Sequence, residues 1–191
     1  MCWLEMEFEV VAFLDPPKRV LVEVASTLQE AFNAKASIAE GARSLPVTLY
    51  DPLRGQYNGL LVLEWVCHLR KRSNSVLLAI VNADGYVEGL NFVFGVASHH
   101  ARAAVVFLER LRREAGASWW SDDLFLSRLK KETVHEVGHV LGLNHCENRR
   151  CVMAFSNSIL DTDYKEWRFC KRCYTRLAGL GYIVSHSYIF R

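Results

Sequence analysis

"HEVGHVLGLNHCENRRCVM", residues 135–153, brings His135, His139 and His145, Cys146 and Cys151, and the carboxylate of Glu136 within nineteen positions. On a helix, His135 and His139 stand four apart on one face, close enough for both imidazoles to reach one ion. His145 lies ten residues after His135. That is almost three turns along a straight helix, too far to join the other two. Gly142 resolves this, because glycine readily takes the left-handed conformation that ends a helix and turns the chain back. The stretch therefore reads as the last turns of a helix followed by a loop that returns His145 beneath the first two histidines.

Three neutral imidazoles leave the fourth tetrahedral position of Zn²⁺ open, the layout of a catalytic rather than a structural site. Zinc suits the all-imidazole set, although Co, Ni or Fe could occupy the same ligands in vitro. Glu136 follows the first ligand and projects beside the metal without needing to bind it. The expected chemistry is general base and then general acid: zinc lowers the pKa of water toward about 7, and Glu136 takes its proton and passes it to a leaving amine. The plainer alternatives are histidines on an ordinary core or surface helix, with Glu136 a surface charge.

Four of the six cysteines fall within 28 consecutive residues, as Cys146-x₄-Cys151 and Cys170-x₂-Cys173. Two short-spaced pairs at this separation suit a closed Cys₄ structural zinc site. Disulfides and unligated thiols are the alternatives. The opening stretch then carries ligands for two zinc ions per chain, His135, His139 and His145 for one, Cys146 and Cys151 (with Cys170 and Cys173) for the other. Cys2 and Cys67 stand apart and read as a free thiol and a small buried hydrophobe.

The bulk numbers fit this reading. The chain has 191 residues, 51% hydrophobic and 23% charged, with a formal net charge of +2. That suits a single folded domain with a real core and does not indicate disorder or a strongly basic nucleic-acid binder. The N-terminus has no basic region, three glutamates interrupt its apolar residues, and nothing approaches a membrane span, so a cytoplasmic protein is expected.

Outward from the motif, the spacing predicts a helix over 122–143, capped by Ser121-Asp122, and a final helix from about Asp161 to Leu177, ended by Gly179. Upstream, "EFEVVAFLD" (7–15) reads as a strand, and apolar residues at Val20, Val24, Leu28 and Phe32 as a helix capped by Asp15. Residues 59–72 read as a helix with a basic last turn. Residues 75–98 read as a buried strand, a hairpin-like connection at Asp84-Gly85 and an edge strand in "GLNFVFGVA" (89–97). Residues 102–111 could be strand or helix. The expected fold is α/β: one domain over 1–191, a mixed twisted sheet packed on helices, divided into a sheet and active-site-helix part (1–143) and a zinc-stapled helical part (144–191).

"HEVGHVLGLNH" followed by Met153 in "CVMAFSN" resembles the metzincin clan of zinc peptidases, in which a methionine-containing turn lies beneath a three-histidine site. With Cys146, Cys151, Cys170 and Cys173 interleaved, the string is similar to the archaemetzincin family specifically, as are "GLNFVFGVA" and "CVMAFSNSI". The resemblance is most specific over residues 135–173 and looser over most of the chain. It implies a two-part metzincin domain with a substrate cleft across the zinc helix, peptide-bond hydrolysis with aminopeptidase action as one form, and Met153 in the Met-turn. On the residues alone, Met153 is a core side chain.

The leading expectation is a zinc metallopeptidase acting on peptides. A peptide could pair with the extended 89–97 segment as an added strand, and an aminopeptidase would need a carboxylate for the free amine, for which Asp84 and Glu88 are at hand. The alternative is a zinc-stabilised peptide- or protein-binding module with little turnover. Arg149, Arg150, Lys171 and Arg172 interleave with the thiols, but the small net charge argues against nucleic acid. No membrane partner is indicated, His68, His99, His100 and His186 read as non-ligands, and oligomeric state is left open.

Overall fold

The computed structural model describes residues 6–112 and 123–190. The β-branched and aromatic run Glu7–Phe13 forms β1, and the chain turns at Leu14 and Asp15, both with positive φ. Helix α1 (Lys18–Phe32) buries Val20, Val24, Leu28 and Phe32 on one face, and full burial of each contributes about 1.5–3 kcal/mol. The chain continues through β2 (Lys35–Ile38), β3 (Tyr50–Asp51), β4 (Gln56–Asn58) and α2 (Gly59–Cys67). It then runs through β5 (Ser75–Val81), β6 (Gly85–Tyr86), β7 (Gly95–Ser98), β8 (Ala103–Phe107) and α3 (Glu109–Arg112). Helices α4 (Asp123–Val140), α5 (Ile159–Tyr164) and α6 (Lys171–Gly179) follow.

The main sheet has the order β2-β1-β5-β8-β7, and β3-β4-β6 form a small second sheet. All pairs in the main sheet are parallel except β7 with β8. The continuous apolar run of β5 is buried along its whole length, as a parallel strand covered on both faces requires. One face of the sheet packs with α1, α4 and the C-terminal residues; the other packs with α2. This is the mixed α/β domain expected, and it sets α4 alongside the edge strand β7.

Five local expectations are corrected. Asp15 does not cap α1: Pro17 holds the N-cap position without a side-chain bond, because Asp15 is used in the left-handed turn. The helix expected over 59–72 ends at Cys67, and the basic stretch leaves it because Glu9 accepts the backbone N–H groups of Lys71 and Arg72 at 3.0 and 3.1 Å. The edge strand does not hairpin with β5; β8 lies between them, so residues 102–111 supply both a strand, β8, and the start of a short helix, α3. The last helix is two helices, because Lys165 turns into the core and Phe169 pairs with Tyr188 and Phe190. Gly179 is the last residue of α6, and the positive φ falls at Gly181. Cys2 and the Ser121-Asp122 cap lie outside the described residues.

Candidate metal centres and cleft

The last turn of α4 shows how the histidines meet. Gly142 has φ +94°, and Leu143 N–H donates to Gly138 O at 3.0 Å, which satisfies a terminal carbonyl while the chain reverses. The His135, His139 and His145 rings then lie with centroids 4.6, 4.7 and 5.4 Å apart, and one ligand atom from each falls within 4.8 Å of the others. His135 Nδ1 lies 2.7 Å from Val152 O and His139 Nδ1 2.8 Å from Leu143 O. Since each carbonyl needs a donor, both Nδ1 atoms carry the proton and both Nε2 atoms keep a lone pair. Those two Nε2 atoms are 3.1 Å apart. Two facing lone pairs at that distance repel unless a cation lies between them, and Zn–N bonds of ~2.0–2.1 Å give edges near this length. The donor set fits a metal ion.

Beneath the trio lies Met153, fully buried. A Cβ built on Gly138 would stand 2.3 Å from Met153 Sδ, so the glycine in "HEVGH" is what lets the methionine approach the helix. The four thiols of Cys146, Cys151, Cys170 and Cys173 form a second buried cluster within 4.8 Å. Cys146 Sγ lies 3.7 Å from Cys170 Sγ, and Cys151 Sγ 3.7 Å from Cys173 Sγ. A disulfide needs ~2.05 Å, whereas a tetrahedron of ~2.3 Å Zn–S bonds has edges of about 3.8 Å. The thiols fit a tetrahedral metal and exclude the disulfide alternative. The contact with Cys173 and nearby backbone N–H groups lower the Cys151 thiol, whereas the contact with Cys151 and burial raise that of Cys173. The two clusters are joined directly, because Cys146 follows His145 and its N–H donates to Met153 O at 2.8 Å.

A cleft of about 680 Å³ runs between α4 and the segment Val87–Ala97, with His135, Glu136, His139 and His145 on its wall. Glu136 is buried, and a Cβ on Gly95 would stand 2.6 Å from its Oε1, so edge strand β7 and the carboxylate are packed against each other.

The sequence pattern of Peptidase family M54 matches residues 19–179. The chain belongs to peptidase family M54. It is 43% identical over 141 residues to the archaemetzincin of Methanocaldococcus jannaschii, covering 74% of this chain and 76% of that protein. The archaemetzincin of Saccharolobus solfataricus is 34% identical over 176 residues, covering 92% and 95%. The crystal structure of archaemetzincin from Methanopyrus kandleri superposes with a TM-score of 0.79 at 33% identity, covering 92% of this chain and 95% of that one. Membership makes this chain a zinc metallopeptidase.

Electrostatics of the M54 cleft follow from burial. Desolvation raises the Glu136 carboxyl well above the usual carboxylate range, Glu132 adds to the rise, and Lys165 opposes it. Burial likewise pushes the His135 imidazole well below its ordinary value, lowers His139, and brings His145 to about 4, so the three rings are neutral and free to act as ligands. Lys165 and Glu132 form an ion pair at 2.9 Å, with side chains 1% and 3% exposed, and both line the cleft. Neither stands out in the sequence, where a lysine in "DYKEW" looks like a surface charge. The signal for Glu132 was its position one turn before Glu136 on the same helix face.

Other candidates in the M54 chain fall elsewhere. Asp84 is buried against Arg110 Nε at 2.9 Å and Gln56 Nε2 at 3.1 Å, while Glu88 lines the cleft. Arg149, Arg150 and Arg172 face Asp161, Glu166 and Glu147, so these cations are balanced by carboxylates. His99 Nδ1 lies 2.6 Å from Val140 O, at the C-terminal end of α4. No helix among the described residues is long and apolar enough to cross a membrane.

Proposed function

We propose that the chain hydrolyses peptide bonds with one zinc held by His135, His139 and His145, and that a second zinc held by Cys146, Cys151, Cys170 and Cys173 fixes the loop carrying His145. The observation that carries this is the pair of Nε2 atoms 3.1 Å apart, whose partner Nδ1 atoms face carbonyl oxygens, with the buried Glu136 carboxylate on the same cleft wall. When bound, zinc supplies a Lewis acid that acidifies water and polarises a carbonyl.

The chain's own groups supply the rest. Val152 O and Leu143 O orient the His135 and His139 rings through Nδ1–H, which directs each Nε2 into the site. Glu136 accepts a proton from the attacking water at its carboxylate and delivers it to the departing amine. Its raised proton affinity suits the accepting half of that cycle. The backbone of β7 holds Glu136 in place, and the free edge of β7 offers a peptide backbone a strand to pair with. The burial of Glu136 excludes bulk water from its carboxylate, which strengthens every charge interaction there.

Aminopeptidase action is the finer part of the reading. It requires a carboxylate for the substrate's free amine, and Glu88 on the cleft wall is the residue to supply it, since Asp84 is already engaged by Arg110.

The test is digestion of a mixed peptide library by wild type and Glu136→Ala, each with zinc content measured. Cleavage lost in the variant at equal zinc occupancy is expected. A fully metallated wild type that binds peptides but cleaves none would replace this reading with that of a binding module.

A further inference from the structure

The cleft extends past Glu136 along α4 to a charged floor that the hydrolytic chemistry does not use. Glu132, one helical turn before Glu136, and Lys165, from the link between α5 and α6, meet there at 2.9 Å. Their bonding is incomplete. Glu132 Oε1 takes both the Lys165 contact and the Thr162 hydroxyl at 3.2 Å, and no partner reaches Oε2 among the described residues. Lys165 Nζ also approaches Ala154 O at 3.4 Å and His135 Nδ1 at 3.5 Å. The latter is no acceptor, because Nδ1–H already donates to Val152 O. One acceptor and one ammonium proton are therefore left side by side. On the wall of the same cleft, Ser156 Oγ is buried with no hydrogen-bond partner among the described residues.

We infer that this floor, Glu132 with Lys165 and Ser156, is a specificity pocket for a primary carboxamide, the side chain of asparagine or glutamine in the peptide substrate. The amide oxygen accepts from Lys165 Nζ while the amide N–H donates to Glu132 Oε2, so both open valences are satisfied without displacing the ion pair. Other side chains fit less well. An acidic one faces the Glu132 and Glu136 carboxylates, and a basic one can reach Glu132 Oε2 only by setting its cation beside the Lys165 ammonium. An apolar one leaves Oε2 and Ser156 Oγ desolvated and unpaired. The pocket falls on the leaving-amine side of the scissile bond. Gly95 of β7 meets Glu136, whereas His99, just past β7, meets Val140, so β7 runs in the same sense as α4. A peptide added antiparallel to β7, the more stable pairing, runs the other way and carries its C-terminal half toward Glu132.

The inference rests on the peptidase reading, and its test separates the two. Wild type, Ser156→Ala and the double variant Glu132→Gln/Lys165→Met, which removes both buried charges together, are given a mixed peptide library, and cut sites are read by mass spectrometry. Wild type is expected to favour Asn or Gln over Leu immediately after the cut by about tenfold, the scale of one added hydrogen bond. That ratio, internal to each protein, is expected to fall toward one in the double variant and to shrink in Ser156→Ala. Alongside, zinc-loaded Glu136→Gln protein is titrated with Ala-Ala-Phe-Xaa-Ala-Ala, Xaa being Asn, Asp, Lys or Leu, and the Asn peptide is expected to bind about tenfold tighter than the Leu peptide. An Asn preference in binding with no cleavage by wild type would sink the peptidase reading and keep the pocket. Cleavage with no amide preference, or a preference unchanged in the double variant, would overturn the pocket.

Discussion

Gly138 of the HExxH helix and Met153 beneath it share one contact volume: a methyl group on the glycine would lie 2.3 Å from the methionine sulfur. Gly138 lies in the helix turn that carries His135 and His139, and a side chain at 138 would push away the sulfur packed against that turn. Gly138→Ala is expected to lower stability by about 1–3 kcal/mol, the usual scale of overpacking, and to weaken zinc retention at the histidine site. Urea unfolding of the zinc-loaded protein and metal content after dialysis check this. A variant as stable and as well metallated as wild type would show that the methionine moves aside freely.

A second glycine packs against the proposed base rather than the proposed ligands. Gly95→Ala would bring a methyl group within 2.6 Å of Glu136 Oε1. Displacing a catalytic group by about 1 Å can reduce rate on the order of 10²-fold, so kcat should fall by that scale while zinc content stays at the wild-type value. An unchanged kcat would mean that Glu136 tolerates displacement or takes no part.

Loss of one cysteine should be felt at the histidines. Cys146 joins His145 covalently and binds the Met153 carbonyl, so Cys170→Ser, by opening the thiol cluster, is expected to release both ions more readily, the imidazole-held one first because thiolates grip zinc harder. Metal analysis after graded chelation reads the order of loss. A variant that keeps its histidine-bound zinc as firmly as wild type would show the two centres to be independent.

Glu9 gives the fold an acid-sensitive joint. Burial by itself would raise its carboxyl, but the Ser75 hydroxyl and the Lys71 and Arg72 amides outweigh this and hold it below the ordinary 4.5. A depressed folded value means the contribution is complete above the unfolded value and is lost as pH falls through the folded one. Glu9→Gln should therefore cost about 1–2 kcal/mol at pH 7, and the gap to wild type should close as the pH is taken well below the ordinary 4.5. Denaturant unfolding at both pH values measures it; a gap that persists in acid would assign the loss to packing.

Much of this was readable in the residues. His135, His139, Gly142 and His145 are local in sequence, so helix geometry and one left-handed glycine suffice to bring them together, and the thiol spacing works in the same way. Long-range placement was not readable. β8 inserts between β5 and β7 because sheet order depends on which faces bury together, which a single run of apolar residues does not encode. The break between α5 and α6 was hidden for a related reason: Lys165 leaves helical geometry to meet Glu132, a partner 33 positions away in the sequence.

The most direct test uses anomalous diffraction at the zinc edge from crystals of the zinc-loaded chain. A third group, Glu132, His135 and Glu136, also places one ligand atom from each within 4.8 Å of the others. An ion held there would take Glu136 as a ligand and remove it as a base. The proposal predicts one peak among the imidazole nitrogens of His135, His139 and His145 and one among the four thiolates, with Glu136 outside bonding distance of either. A peak bonded to the Glu132 and Glu136 carboxylates, or none at the histidines, would contradict it.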